Sequence, residues 1–286
     1  MPLLGIILLS CAGAFILLLG YMHLETRLLK VRRVTIAAAV SPVRFMQFSD
    51  LHVGMMYVSL KKITAAVAAA KPDFLVFTGD YFQKEEETGR FISFMKQIRQ
   101  VHAGPVFLCF GNHDRVDVFD PDERAFERVC AALTALGVTV LEDRNCIYNN
   151  EINIIGLSDE RCTRIAERNS GIRADTAGTL AALRRDGMFN LLITHNSDIL
   201  LRLPERAVDF AVTGHTHGAQ VRTPFNIETK ILHRRDKLAS RYNMLRGLHT
   251  FRGIPFYINP GLGNNLFPIR FRAVPEITAY TVGKLE

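Results

Sequence analysis

Pro105-Val106-Phe107-Leu108-Cys109-Phe110-Gly111-Asn112-His113-Asp114 passes from an uncharged apolar run to a polar tetrapeptide. The run has the composition of a strand buried on both faces. A polar group at the C-terminal end of such a strand stands where an α/β fold places its chemistry. Asn112 presents a neutral oxygen suited to a cation, His113 a titratable imidazole, and Asp114 a carboxylate able to orient that imidazole. Taken alone, Gly-Asn-His-Asp is equally a turn, because turns favour Gly, Asn and Asp. Four other strand ends give it weight.

Val43 to Phe48 leads into Ser49-Asp50-Leu51-His52, and Phe74 to Thr78 into Gly79-Asp80. Asn190 to Thr194 delivers His195, and Val208 to Thr213 delivers Gly214-His215-Thr216-His217. In Asp-x-His and His-x-His the two side chains share one face of an extended chain and can converge on a point. Each strand end has its own bland explanation: a turn histidine, a helix cap, a satisfied core histidine. All of them drifting to metal-ligand residues together is far less expected than one shared centre. Carboxylate oxygens and imidazole nitrogens suit Mn²⁺, then Fe or Zn²⁺, better than Mg²⁺. With no cysteine in the set, a closed structural zinc site does not fit.

Leu3 to Tyr21 carries no charge, and a stretch of roughly 20 apolar residues spans a bilayer. A cleaved signal peptide would need a basic n-region, which Met1-Pro2 lacks, and Leu8-Leu9-Ser10-Cys11 lacks the same context. Residues 1–23 are therefore expected to be a retained transmembrane anchor, 24–42 a juxtamembrane linker and 43–286 the folded domain. Arg27, Lys30, Arg32 and Arg33 follow the anchor, which favours a single pass through the inner membrane with the domain in the cytoplasm. The five cysteines are odd in number and include no C-x-x-C pair, as expected of free thiols in a reducing compartment.

The net charge of +7 points to anionic partners. Basic residues are dispersed, and no zinc-finger or RNA-binding aromatic motif is present, so no stable nucleic-acid partner is expected. Helical signals lie between the strands: Ser59 as a cap before an Ala-rich stretch, Phe91, Phe94, Met95 and Ile98 as a core stripe, and Asp120-Pro121-Asp122-Glu123 as a start. Thr223 to Leu248 reads as an irregular insertion beside the His215-His217 loop. Its Arg234, Arg235 and Arg241 are candidates to bind substrate phosphates. Ile231, Leu232, Leu238, Tyr242, Met244 and Leu245 between them are candidates to contact acyl chains. A solvated basic loop is the competing explanation.

The five motifs, in this order and spacing, resemble the calcineurin-like metallophosphoesterases over roughly Val43 to Val282. Gly218-Ala219-Gln220, Gly261-Leu262-Gly263 and Pro268-Ile269-Arg270 resemble the bacterial membrane-anchored branch, although that branch usually has Gly-Gly-Gln at the first of these. The resemblance implies an α/β fold, a four-layer α/β/β/α sandwich, with two divalent metal ions at one edge. It implies that Asp50, His52 and His217 hold one metal, that Asn112, His195 and His215 hold the other, and that Asp80 bridges them. His113 would be the general acid, with Asp114 orienting it.

The expected activity is hydrolysis of a phosphodiester or pyrophosphate by a hydroxide that two metals share and activate. A lipid-linked or membrane-proximal substrate fits the anchor. A branch similar to this chain cleaves UDP-2,3-diacylglucosamine in lipid A biosynthesis, a more specific alternative. A membrane-tethered protein with a degenerate, non-catalytic site is a rival from another class, as is a nuclease.

Overall fold

A computed structural model of the protein describes residues 3–120, 123–225, 227–231 and 233–284. In chain order its strands begin with β1 (Lys30–Ala37), β2 (Val43–Phe48), β3 (Phe74–Thr78), β4 (Val106–Cys109), β5 (Val138–Val140) and β6 (Arg144–Tyr148). They continue with β7 (Ile152–Gly156), β8 (Phe189–Ile193), β9 (Phe210–Thr213), β10 (Gly247–Phe251), β11 (Ile254–Ile258) and β12 (Glu276–Gly283). Two six-stranded sheets result, ordered β1-β12-β2-β3-β4-β5 and β10-β11-β9-β8-β7-β6.

The continuous apolar runs become strands covered on both faces. β3 and β8 are buried at every residue. Phe45, Phe74, Val76 and Phe107 of the first sheet meet Ile154, Leu191, Ile193 and Phe210 of the second. The alternate residues Met46, Phe48, Leu75 and Phe77 point outward under α2 (Leu60–Ala70), α3 (Thr88–Val101) and α4 (Glu123–Ala135), following α1 (Leu3–Glu25) in the chain. On the far side, Ile155, Leu192, Ala211 and Phe256 pack against Leu180 and Leu238. These belong to α6 (Thr176–Leu183) and α8 (Lys237–Tyr242), which alternate in the chain with α5 (Glu160–Ser170) and α7 (Ile227–Ile231). The layers are the expected α/β/β/α. Ser59 is the N-cap residue of α2, and Phe91, Phe94, Met95 and Ile98 are the buried stripe of α3. The expected start at Asp120 includes Pro121 and Asp122, which lie outside the described residues.

α1 is apolar enough to cross a membrane, with a mean hydropathy of 2.6 over a window none of which is buried. Its last turn is different. Met22 and Glu25 are buried. The Glu25 carboxylate accepts from the amides of Arg272 (3.1 Å) and Ala273 (2.7 Å), and the Arg270 amide donates to the Met22 carbonyl (2.9 Å). The chain then enters β1, which pairs in parallel with β12 from Lys30↔Glu276 to Ala37↔Gly283. Much of the segment 24–42, expected to be a linker, is thus part of the first sheet. An edge strand with one neighbour and an outward basic face lacks the apolar alternation that announces a strand.

The insertion after His217 also differs from expectation. Leu238 and Leu245 are buried and Met244 packs onto the core, so they are unavailable to a lipid. Tyr242 is exposed. The side chains of Ile231 and Leu232 lie outside the described part.

Candidate metal centre

The residues that end the strands meet at one edge of the sandwich. Asp50 and His52 follow β2, Asp80 follows β3, Asn112 lies beyond β4, His195 follows β8, and His215 and His217 follow β9. Asp50, His52, Asp80, His215 and His217 all have positive φ, between 36° and 75°. Such backbone costs of order 1–3 kcal/mol per residue and persists where the surroundings over-determine it. Here the turns aim side chains back across the strand ends. Gly111 supplies the clearance, because a Cβ there would overlap the Asp80 carboxylate.

Two donor groups form: Asp50, His52 and His217 in one, Asp80, His195 and His215 in the other, with ligand atoms within 4.8 Å of one another inside each. One atom joins them. Asp80 Oδ2 lies 2.9 Å from His195 Nε2 and 3.8 Å from His52 Nε2. Its partner oxygen Oδ1 accepts from the His113 amide at 2.9 Å.

The imidazole orientations suit a cation. His195 Nδ1 lies 2.7 Å from the Thr78 carbonyl, which can only accept, so Nδ1 carries a proton and Nε2 is the ring nitrogen turned to the centre. His215 Nε2 donates to Asp236 (3.2 Å), leaving Nδ1 to face His195 Nε2 at 3.2 Å. Two ring nitrogens and a carboxylate oxygen converge there, a set that could hold a cation. In the other group His52 Nε2 and His217 Nε2 stand 3.2 Å apart, and His217 Nε2 is 3.4 Å from Asp50 Oδ1. Among the described residues Asn112 Oδ1 is buried with no hydrogen-bond partner, as a neutral ligand oxygen would be before a metal binds. The donor set fits two divalent ions.

The electrostatics divide the centre: against the effect of burial, Asp80 pushes the His195 imidazole well up and Asp236 pushes His215 up. Burial lowers His52 to about 3 and His217 well below the ordinary histidine range, so both rings are neutral, the form that ligates. Burial pushes the Asp50 carboxyl up. Burial acts on Asp80 in the same sense, but His195, His113 and His52 outweigh it and hold that carboxyl well below the usual range.

His113 stands at the rim, its ring centroid 5.4 Å from that of His52. The expectation that Asp114 orients it is corrected by the structure. Both Asp114 oxygens are occupied by backbone amides: Oδ2 by Asp80 (2.8 Å) and Gly111 (2.8 Å), Oδ1 by Tyr81 (2.7 Å) and Phe82 (3.3 Å). His113 Nδ1 pairs instead with Asp117 Oδ2. The cause is local winding, since residues His113–Phe119 form a π-helical turn that brings Asp117 under the ring.

The centre opens into a cleft of about 810 Å³ whose walls include Arg161, Arg234, Arg235, Gln220, Leu266 and Phe267. Arg234 and Arg235 thus share the cleft with His113, whereas Arg241 lies on α8 and is not among its lining residues. Asp236 and Asp117, the carboxylates that orient His215 and His113, were not singled out from the sequence. Neither belongs to a motif, and only Asp117, at four residues from His113, carried a spacing signal.

Residues 43–219 match the calcineurin-like phosphoesterase family. The chain is similar to the metallophosphoesterase YkuE of Bacillus subtilis, with 29% identity over 92% of this chain and 89% of that protein. It is similar to the phosphodiesterase YaeI of Escherichia coli, with 27% identity over 91% of this chain and 90% of that one. It is also similar to the UDP-2,3-diacylglucosamine pyrophosphatase LpxG of Chlamydia trachomatis, with 27% identity and 89% of each chain covered. With the match spanning most of the chain and the motif residues gathered at one edge of an α/β/β/α sandwich, the protein belongs to the calcineurin-like phosphoesterases and is a phosphoesterase hydrolase.

Proposed function

We propose that this hydrolase cleaves a phosphodiester or pyrophosphate bond of a lipid-linked or membrane-proximal substrate, with two divalent ions, Mn²⁺ by preference and Fe or Zn²⁺ as alternatives. The observation that carries the reading is the position of Asp80 Oδ2 between the two donor groups. Asp50, His52 and His217 would hold one ion, Asn112, His195 and His215 the other, with Asp80 bridging. When bound, the ions lower the pKa of a water and offset the charge of the phosphoryl oxygens. The chain's own groups do the rest. Thr78 and Asp236 fix the tautomers of His195 and His215. His113, held by Asp117 on the wall of the cleft, would pass a proton to the leaving oxygen. Arg234 and Arg235 attract the substrate's other phosphate charges.

Two features support the membrane setting: α1 itself, and a last helical turn bonded into the fold, which a processing cut beyond it would sever. The basic residues after α1 favour a cytoplasmic domain. Residues 1–23 would be the anchor and the rest of the chain, including 24–42, the catalytic part. The LpxG relatives favour a UDP-diacylglucosamine substrate as the more specific alternative. A screen of the detergent-purified protein with Mn²⁺ against lipid pyrophosphates, lipid phosphodiesters, cyclic nucleotides and simple monoesters tests the reading. Turnover of lipid diesters or pyrophosphates is expected; turnover of soluble monoesters alone would remove the lipid assignment.

A further inference from the structure

We infer that the metal-site edge of the sandwich faces the bilayer, and that Leu266 and Phe267 enter its interface as one lip of the cleft. The inference rests on the readings of α1 as the anchor and of the site as a phosphoesterase centre.

Topology sets the direction. β2 ends beside Asp50 and β3 beside Asp80. β12 is antiparallel to β2, with Thr278 opposite Gln47 and Val282 opposite Val43, so it begins at the edge that carries Asp50. β1 is parallel to β12 and begins there too, with Lys30 opposite Glu276. Only residues 26–29 separate α1 from β1. A domain joined this closely, with Glu25 bonded to Arg272 and Ala273, has no slack with which to turn its metal edge away from the membrane.

The segment 264–273 closes this junction and is held from both sides. From α1, His23 Nδ1 donates to the Pro268 carbonyl (2.9 Å) and the Met22 carbonyl accepts from Arg270 (2.9 Å). From the site, the Gln220 side chain donates to the carbonyls of Asn265 (3.0 Å) and Phe267 (2.8 Å) and accepts from the Asn265 amide (2.8 Å). Between these fastenings Leu266 and Phe267 are 77% and 64% exposed, and Leu266 sits at φ +56°. Large apolar side chains fixed outward beside the end of a membrane-spanning helix stand where the lipid interface would cover them. Arg161, Arg234 and Arg235 stand on the same cleft and suit anionic headgroups. The cleft thus takes an anionic amphiphile from the bilayer, its phosphoester at the metal edge and its acyl chains left in lipid.

The chain contains no tryptophan, so an introduced indole reports alone. Full-length Phe267→Trp, Leu266→Trp and Ile147→Trp are reconstituted into vesicles of phosphatidylcholine and phosphatidylglycerol, with and without dibrominated phosphatidylcholine. Ile147 is exposed on β6, where it pairs with Asn153 near the start of β7 and so towards the opposite end of the strands. The indole at 267 or 266 is expected to be blue-shifted and quenched about twofold by brominated lipid, and that at 147 to be neither. Unquenched, water-like emission at both lip positions would overturn the inference. So would a blue shift without quenching, the sign of burial against another protein chain. Flotation of the protein with the vesicles tests the anchor separately, and turnover of soluble bis(p-nitrophenyl) phosphate tests the hydrolase, so failure of either is distinguishable from failure of the lip.

Discussion

Nδ1 of His113 lies 2.5 Å from Oδ2 of Asp117, four residues further along the chain. The pairing holds the ring in one orientation on the wall of the cleft and leaves Nε2 outside that bond. Asp117→Asn is expected to lower kcat roughly tenfold to a hundredfold, within the range ascribed to a positioned acid, with metal content unchanged. His113→Ala should cost at least as much, and the double variant little more than His113→Ala. Additive losses in this cycle, read as kcat against pH, would separate the two residues.

Asp114 serves the backbone. Its carboxylate accepts four amides in a fully buried position. Asp114→Ala leaves those donors unpaired, and each unpaired buried donor costs about 1–3 kcal/mol. A fall in thermal midpoint on the order of 10 °C or more is expected, with loss of metal as a consequence. An unchanged midpoint with lost activity would return Asp114 to the chemistry.

Gly111 is needed for space. A side chain there overlaps the Asp80 carboxylate and approaches the Asp80 amide at 2.5 Å. Gly111→Ala should displace Asp80 and reduce metal affinity at least about tenfold, as loss of ligand support does elsewhere. Isothermal titration with Mn²⁺ reads this directly.

Glu142 accepts from the Phe110 amide at 3.0 Å, and burial pushes its carboxyl up to about 7 against the opposing effects of that bond and of Arg115. An acid raised in the folded state makes the fold bind the extra proton between its unfolded value, near 4.5, and about 7. Stability from this group is therefore present at low pH and lost as pH rises through 7. Glu142→Gln keeps an acceptor without the charge. It should stabilise the protein by roughly 1–2 kcal/mol at pH 8 and change little at pH 4, as read by denaturant unfolding at both pH values.

Much of the fold was legible because burial leaves a plain mark. Strands such as β3 and β8, covered on both faces, read as unbroken apolar runs, and polar residues at their ends had to be explained. The ligand candidates were legible for the same reason. What escaped notice depends on packing that has no period. β1 is a basic edge strand that only its pairing with β12 identifies. Asp117 gains its role from a π-helical turn, and Asp236 reaches His215 across 21 residues without a motif. Of the acyl-contact candidates, Leu238 and Leu245 proved to be core and Tyr242 is exposed, while the exposed pair Leu266 and Phe267 carries no periodic signal.

The bridging position of Asp80 is the claim on which the rest stands. Metal analysis of purified protein, run beside turnover of a diester, tests it most directly. The wild-type chain is expected to retain about two divalent ions and Asp80→Ala to lose both metal and turnover, while His113→Ala keeps its metal. Asp80→Ala with full metal content and undiminished turnover would contradict the shared centre.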